Sequence, residues 1–151
     1  MEAMKKEDIL KFCWDYVNAK AERLKRTSDE LQESLTSETK STAGDKHETG
    51  RAMVQLEQEK LAQQIQELEK DRAVLKKIDI LKPPQKISLG CWVKTTAANY
   101  FISISAGAFK SETDVVYCIS ASAPIAQLLL GKEKGDNFVF NGNSQTILEV
   151  L

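Results

Sequence analysis

What this chain does not contain narrows its chemistry first. Histidine occurs once in 151 residues and cysteine three times. Cys13, Cys91 and Cys118 are far apart, no C-x-x-C pair exists, and His47 is distant from all three. The short ligand spacings of a zinc site are therefore missing, and free, mostly buried thiols in a reducing compartment are expected. No apolar run approaches the roughly 20 residues of a membrane span, and the charged N-terminal stretch leads into no secretory core. A soluble, cytoplasmic protein with no membrane partner is expected. Charge of one sign is lacking too: 21 Lys+Arg face 22 Asp+Glu, for a net charge of -1. Neither half of the chain carries the basic excess that non-specific duplex DNA binding needs, so none is expected.

What is present is a heptad pattern. Leu10, Trp14, Val17, Ala21, Leu24, Ser28, Leu31 and Leu35 alternate spacings of four and three without Gly or Pro. That is the seam of a left-handed coiled coil, on a helix of about 45 Å for 30 residues. A hydroxyl-rich stretch from Thr36 to Thr42 breaks it, and such residues suit caps and turns. A second seam follows: Val54, Gln58, Leu61, Ile65, Leu68, Arg72 and Leu75. Folding back pairs Leu35 with Val54, Leu31 with Gln58, Ser28 with Leu61, Leu24 with Ile65, Ala21 with Leu68 and Trp14 with Leu75. Two small seam residues, Ser28 and Ala21, each fall opposite a leucine, which evens the layers. An intramolecular antiparallel hairpin, in a monomer, is expected over residues 1–80. The alternative, a parallel dimeric coiled coil, has to carry two glycines and a polar stretch through its middle.

The tip, residues 43–51, contains Asp45 and Glu48 three residues apart. One reading is a capping box, with Asp45 at the N-cap and Glu48 reaching back from the third helical position. The other is half of a Mg²⁺ site, two hard carboxylate oxygens on one exposed face that need other ligands to complete the octahedron. His47 is assigned no role.

The period then changes. Residues 81–86 hold Pro83-Pro84 and read as a stiff linker. Over 87–151, Ile87–Lys94, Tyr100–Ser105, Val115–Ile119, Asn137–Phe140 and Gln145–Val150 alternate like five short strands. Ser122 to Leu130 reads as a short helix with a capping serine, an early proline and closure at Gly131. Asn141-Gly142-Asn143 reads as a hairpin turn. Gly131 to Asp136 lacks the order of a phosphate loop and reads as a turn. Trp92, Phe101, Tyr117, Phe138 and Phe140 are expected in the core. The fold class is α+β.

The stretch Ile119-Ser120-Ala121-Ser122-Ala123-Pro124-Ile125-Ala126-Gln127-Leu128-Leu129-Leu130-Gly131-Lys132-Glu133-Lys134-Gly135-Asp136 resembles the C-terminal signature of the Gre family of bacterial transcript cleavage factors. Gly44, Asp45 and Glu48 are similar to the same family's G-D-x-x-E tip, in register and in the same order along the chain. Departures are Ala123 for a frequent serine, Thr49-Gly50-Arg51 for Asn-Ala-Glu, Ala52 for an aromatic, and Asn141-Gly142-Asn143-Ser144 for a Thr-Pro-containing turn. The resemblance implies an FKBP-like C-terminal domain and an accessory factor of RNA polymerase rather than an enzyme in its own right. It implies that the hairpin enters the polymerase secondary channel, that Asp45 and Glu48 help hold a Mg²⁺ shared with the polymerase against the 3′ end of backtracked RNA, and that Ser122, Pro124 and Ile125 meet the channel rim. Three other readings stand beside it: a channel-binding regulator without cleavage activity, an FKBP-like isomerase, and a coiled-coil adaptor.

Overall fold

The computed structural model describes residues 4–40 and 44–151, and the side chains of residues 37–40 and 44–48 lie outside the described set. Two long helices come first, α1 (Lys6–Lys40) and α2 (Gly44–Lys77). Six strands follow: β1 (Trp92–Thr95), β2 (Asn99–Ser103), β3 (Gly107–Lys110), β4 (Val115–Ser120), β5 (Asn137–Phe140) and β6 (Asn143–Val150). A short helix, α3 (Pro124–Leu129), separates β4 from β5. Among the described residues no helix is long and apolar enough to cross a membrane.

The sequence divides the chain at 81–86, but the compact units part elsewhere. One is Val17–Arg72; the other joins Met1–Tyr16 to Ala73–Leu151. The first turns of α1 and the last of α2 therefore belong with the sheet.

In the Val17–Arg72 unit the two arms run antiparallel. Ser28 and Leu31 line one groove together with Gln58, Leu61 and Ile65, and the Lys20 ammonium acts on the Asp71 carboxyl. Burial within the seam is uneven. Leu61 and Leu68 are 6% and 3% exposed, whereas Ile65 is 38% exposed. The register expected from the heptads gives a reason: it sets Leu61 and Leu68 against Ser28 and Ala21, small residues that leave room for a leucine, and Ile65 against Leu24, which is itself buried.

In the other unit the sheet order is β3-β4-β2-β1-β6-β5. β2 and β4 are parallel, with Phe101 opposite Cys118, and the other pairings are antiparallel. α3 packs Ile125, Ala126 and Leu129 onto one face, against Val93, Ile102, Phe138 and Ile147, with Ile87 and Cys91 closing the same core. The opposite face is covered by the start of α1. Cys13 Sγ lies 3.4 Å from Ser103 Oγ, and the rings of Phe12 and Phe109 stack at 5.0 Å. Successive residues of a strand point to opposite faces, so Phe101, Ile102 and Ser103 are all buried, alternately under α1 and α3.

That second cover corrects several expectations. Ile9 and Cys13, one residue ahead of the heptad positions Leu10 and Trp14, are fully buried, while Leu10 and Trp14 are half-buried. On β4 the buried residues are Val116 and Cys118, so Tyr117, expected in the core, is exposed; Phe140, on β5, is half-buried and packs against the α3 core. The strand expected over Ile87–Lys94 is confined to Trp92–Thr95. Before it the chain turns, with Cys91 N–H donating to Ser88 O. β3 was not expected at all.

Local signals explain other elements. Asp8, the third residue of α1, accepts from the Lys5 N–H at 3.1 Å, the reach-back half of a capping box. Asn141 and Gly142 both have positive φ, 51° and 79°, the conformation of a two-residue type I′ hairpin turn joining Phe140 to Asn143. All three thiols are free and buried.

Candidate functional site

The two candidate site regions lie at opposite ends of the sequence. α1 ends at Lys40 and α2 begins at Gly44, so Asp45 and Glu48 fall in the opening turns of the second arm. Their side chains, and hence their capacity to hold Mg²⁺ or to cap the helix, lie outside the described residues. Thr49 and Arg51, which follow, are exposed, and Gly50 is partly buried.

The second region is the turn from β4 into α3. Ala123 N–H donates to Ser120 O at 3.1 Å, and Gln127 N–H donates to Ala123 O at 3.0 Å. The Gln127 side-chain amide donates to Ala121 O at 2.6 Å. These bonds fix the loop from both ends. The expected serine cap is not there: Ala123 occupies the N-cap without a side-chain bond, and Pro124 opens the helix. Proline is suited to that place because its missing N–H is one that a helix start leaves unpaired anyway. Ser122 instead pairs its hydroxyl with that of Ser120 at 3.0 Å.

Of the three residues expected to meet a partner, Ser122 and Pro124 are exposed. Ile125 is not; it is 7% exposed and packs into the α3 core. Its part is to seat the turn that presents the other two. The following loop is a turn rather than a phosphate cradle. Asp136 Oδ2 accepts from Glu133 N–H at 2.8 Å, and Gly135 N–H donates to Ile147 O.

One buried polar cluster escaped the sequence reading. Cys13 and Cys118 act on each other: the neighbouring Cys118 lowers the Cys13 thiol and Cys13 raises that of Cys118, while burial opposes the first shift and adds to the second. Ser103 completes the group by also favouring the Cys13 thiolate. The signal available in sequence was the spacing of four from Ile9 through Cys13 to Val17, a second apolar stripe beside the heptad seam. Among the described residues no group of three His, Cys, Asp or Glu side chains is placed to hold a metal ion.

No family model matches the sequence, and no curated protein matches it. Among solved structures, the chain is similar to one described as the structure of the transcription factor Gfh1, with 20% identity, 93% of this chain and 92% of that chain covered, and a TM-score of 0.34. It is also similar to the crystal structure of GreA factor homolog 1 (Gfh1) protein of Thermus thermophilus, with 19% identity, 94% of each chain covered and a TM-score of 0.34. An overlap this loose argues by itself neither for a shared fold nor for a shared role.

Proposed function

We propose that this chain is a transcription elongation factor that binds RNA polymerase, inserts its helical hairpin into the secondary channel and stimulates cleavage of backtracked RNA. One observation carries the reading. Two stretches that resemble Gre-family motifs support it, Gly44-Asp45 and Glu48 in the opening turns of the second arm and Ser122-Ala123-Pro124 in the turn into α3.

The division of labour follows from that placement. Ser122 and Pro124, on a turn held by backbone bonds and by the buried Ile125, dock at the channel rim. Asp45 and Glu48 would hold, together with the polymerase, a Mg²⁺ that orients water and stabilises charge at the phosphodiester. The polymerase supplies the remaining groups, so the isolated factor is inert and acts as a monomeric accessory protein in the cytoplasm.

The test separates metal holding from helix capping. Asparagine caps about as well as aspartate, and glutamine replaces glutamate in a capping box. Neutral amides hold Mg²⁺ far less well. An Asp45→Asn, Glu48→Gln variant is expected to stay helical and to bind polymerase while RNA cleavage in stalled complexes falls to the factor-free rate. Cleavage that persists in the double variant refutes the metal role. Wild-type protein that binds polymerase but stimulates no cleavage at saturating Mg²⁺ makes the chain a channel-occupying regulator instead.

A further inference from the structure

The segment that leaves α2 does not pack its largest apolar side chain. Leu81 is 86% exposed, although its backbone is held by a bond from its N–H to Asp79 Oδ1 at 3.0 Å. Beside it, Pro83, Pro84, Trp92 and Val150 floor a groove of about 640 Å³, rimmed by Lys5, Lys6 and Lys82. A smaller polar cleft of about 220 Å³ shares Lys6, Lys82 and the two prolines and adds Lys77. Every residue here belongs to the unit that holds the sheet.

Two further features give the groove a chemical preference. The first is charge. The chain as a whole is balanced, yet lysines crowd this rim, and among the described residues none of their ammonium groups is salt-bridged. Lys6 is held below its ordinary pKa, chiefly by burial, while Cys91 and Asp79 pull the other way. A carboxylate arriving beside it restores the interaction that burial removed. The second is the indole of Trp92. Its Nε1–H is buried and has no acceptor, while Lys94 Nζ sits over the ring at 4.6 Å. Being buried, that N–H is out of a ligand's reach, and what the indole offers the groove is apolar surface, which makes Trp92 a reporter of its occupancy.

We propose that this groove docks an acidic peptide segment bearing a leucine or aromatic side chain. The apolar side chain lies on Leu81, Pro84 and Trp92, and the acidic residues pair with Lys5, Lys6 and Lys82. A hydrophobic centre with a charged rim is the usual anatomy of a protein interface, and two adjacent prolines keep the floor stiff, so little ordering is lost on binding. The proposal concerns a surface apart from Asp45, Glu48 and the Ser122–Pro124 turn, and it stands whether or not the chain acts on RNA polymerase.

The experiment uses the full chain with Trp14→Phe, which leaves Trp92 as the single tryptophan reporter. A synthetic Asp/Glu-rich peptide containing leucine and phenylalanine is titrated against it. Two controls are the same peptide with Lys in place of the acids, and an acidic peptide with alanine in place of the apolar residues. Saturable change of Trp92 emission with the first peptide alone is expected, weakened by added salt. Leu81→Ser and the pair Lys5→Glu, Lys82→Glu, each checked for unchanged circular dichroism, are expected to weaken it by roughly tenfold or more. Absence of saturable binding overturns the proposal. So does binding that survives both folded variants, equal binding of either control peptide, or a Leu81-dependent self-association that closes the groove.

Discussion

The most discriminating test of the hairpin compares two leucine-sized residues that the heptad treats as equals. Leu68 is 3% exposed and Ile65 38% exposed. Truncation of either to alanine removes three side-chain carbons. At about 0.8 kcal/mol per buried CH₂, Leu68→Ala loses about 2.4 kcal/mol of transfer energy, and the cavity left behind raises the total to roughly 2.5–4 kcal/mol. Ile65 already meets solvent, so the space it vacates fills with water and no closed cavity forms. Alanine also gains helix propensity over isoleucine, and Ile65→Ala is expected to cost only about 1 kcal/mol. Native-state hydrogen exchange of amides in residues 17–72 resolves the difference, because every 1.4 kcal/mol is tenfold in the opening equilibrium. Leu68→Ala is expected to lower protection there by roughly 60- to 700-fold, and Ile65→Ala by less than about tenfold. Equal losses, or a larger loss for Ile65→Ala, refute the account of small-against-large layers.

Asp71 and Gly90 lead to two further expected outcomes. Burial raises the Asp71 carboxyl above its ordinary range, with Lys20 opposing and Glu67 adding; its protonated form is favoured by folding, so its contribution is present at acid pH and is lost as pH rises through the raised folded value. Asp71→Asn is expected to flatten that part of the hairpin's stability profile and not to weaken it at neutral pH, as followed by denaturant titration at several pH values; an unchanged slope refutes this. Gly90 has φ +88°, and a Cβ there would lie 2.9 Å from Ile78 Cγ2. Gly90→Ala is therefore expected to cost roughly 1–3 kcal/mol in denaturant unfolding, with partial recovery in the Gly90→Ala, Ile78→Ala pair, since only the clash and not the backbone strain is relieved.

The period-3.5 pattern and the Asn141-Gly142 turn were legible because each is a local device: a stripe on one helix, and two residues whose backbone geometry few others tolerate. What escaped was tertiary. A heptad marks Leu10 and Trp14, but only the sheet behind α1 makes Ile9 and Cys13 the buried residues. β3 holds glycine and alanine, which have little strand preference, and it is a strand because β4 offers an edge to pair with. Ser122 looks like a cap, yet Ser120 takes its hydroxyl. At the candidate sites, the motif positions could be read, whereas the burial of Ile125 and the groove at Leu81 arise from distant segments meeting. Pro83-Pro84 announces a stiff linker and says nothing of Trp92 lying beside it.

The joining of residues 1–16 to residues 73–151 in one compact unit has a consequence for synthesis. Cys13 and its partner Ser103 are 90 positions apart. At roughly 5–20 residues per second, Cys13 is made about 5–18 s before Ser103 exists. The hairpin's contacts are local, and structures of that kind fold in microseconds to milliseconds. The arms therefore close long before their base is anchored. Throughout that interval Ile9, Phe12 and the Cys13 thiol have no sheet to bury them, so this earlier-made segment needs shelter until β2 and β4 are complete.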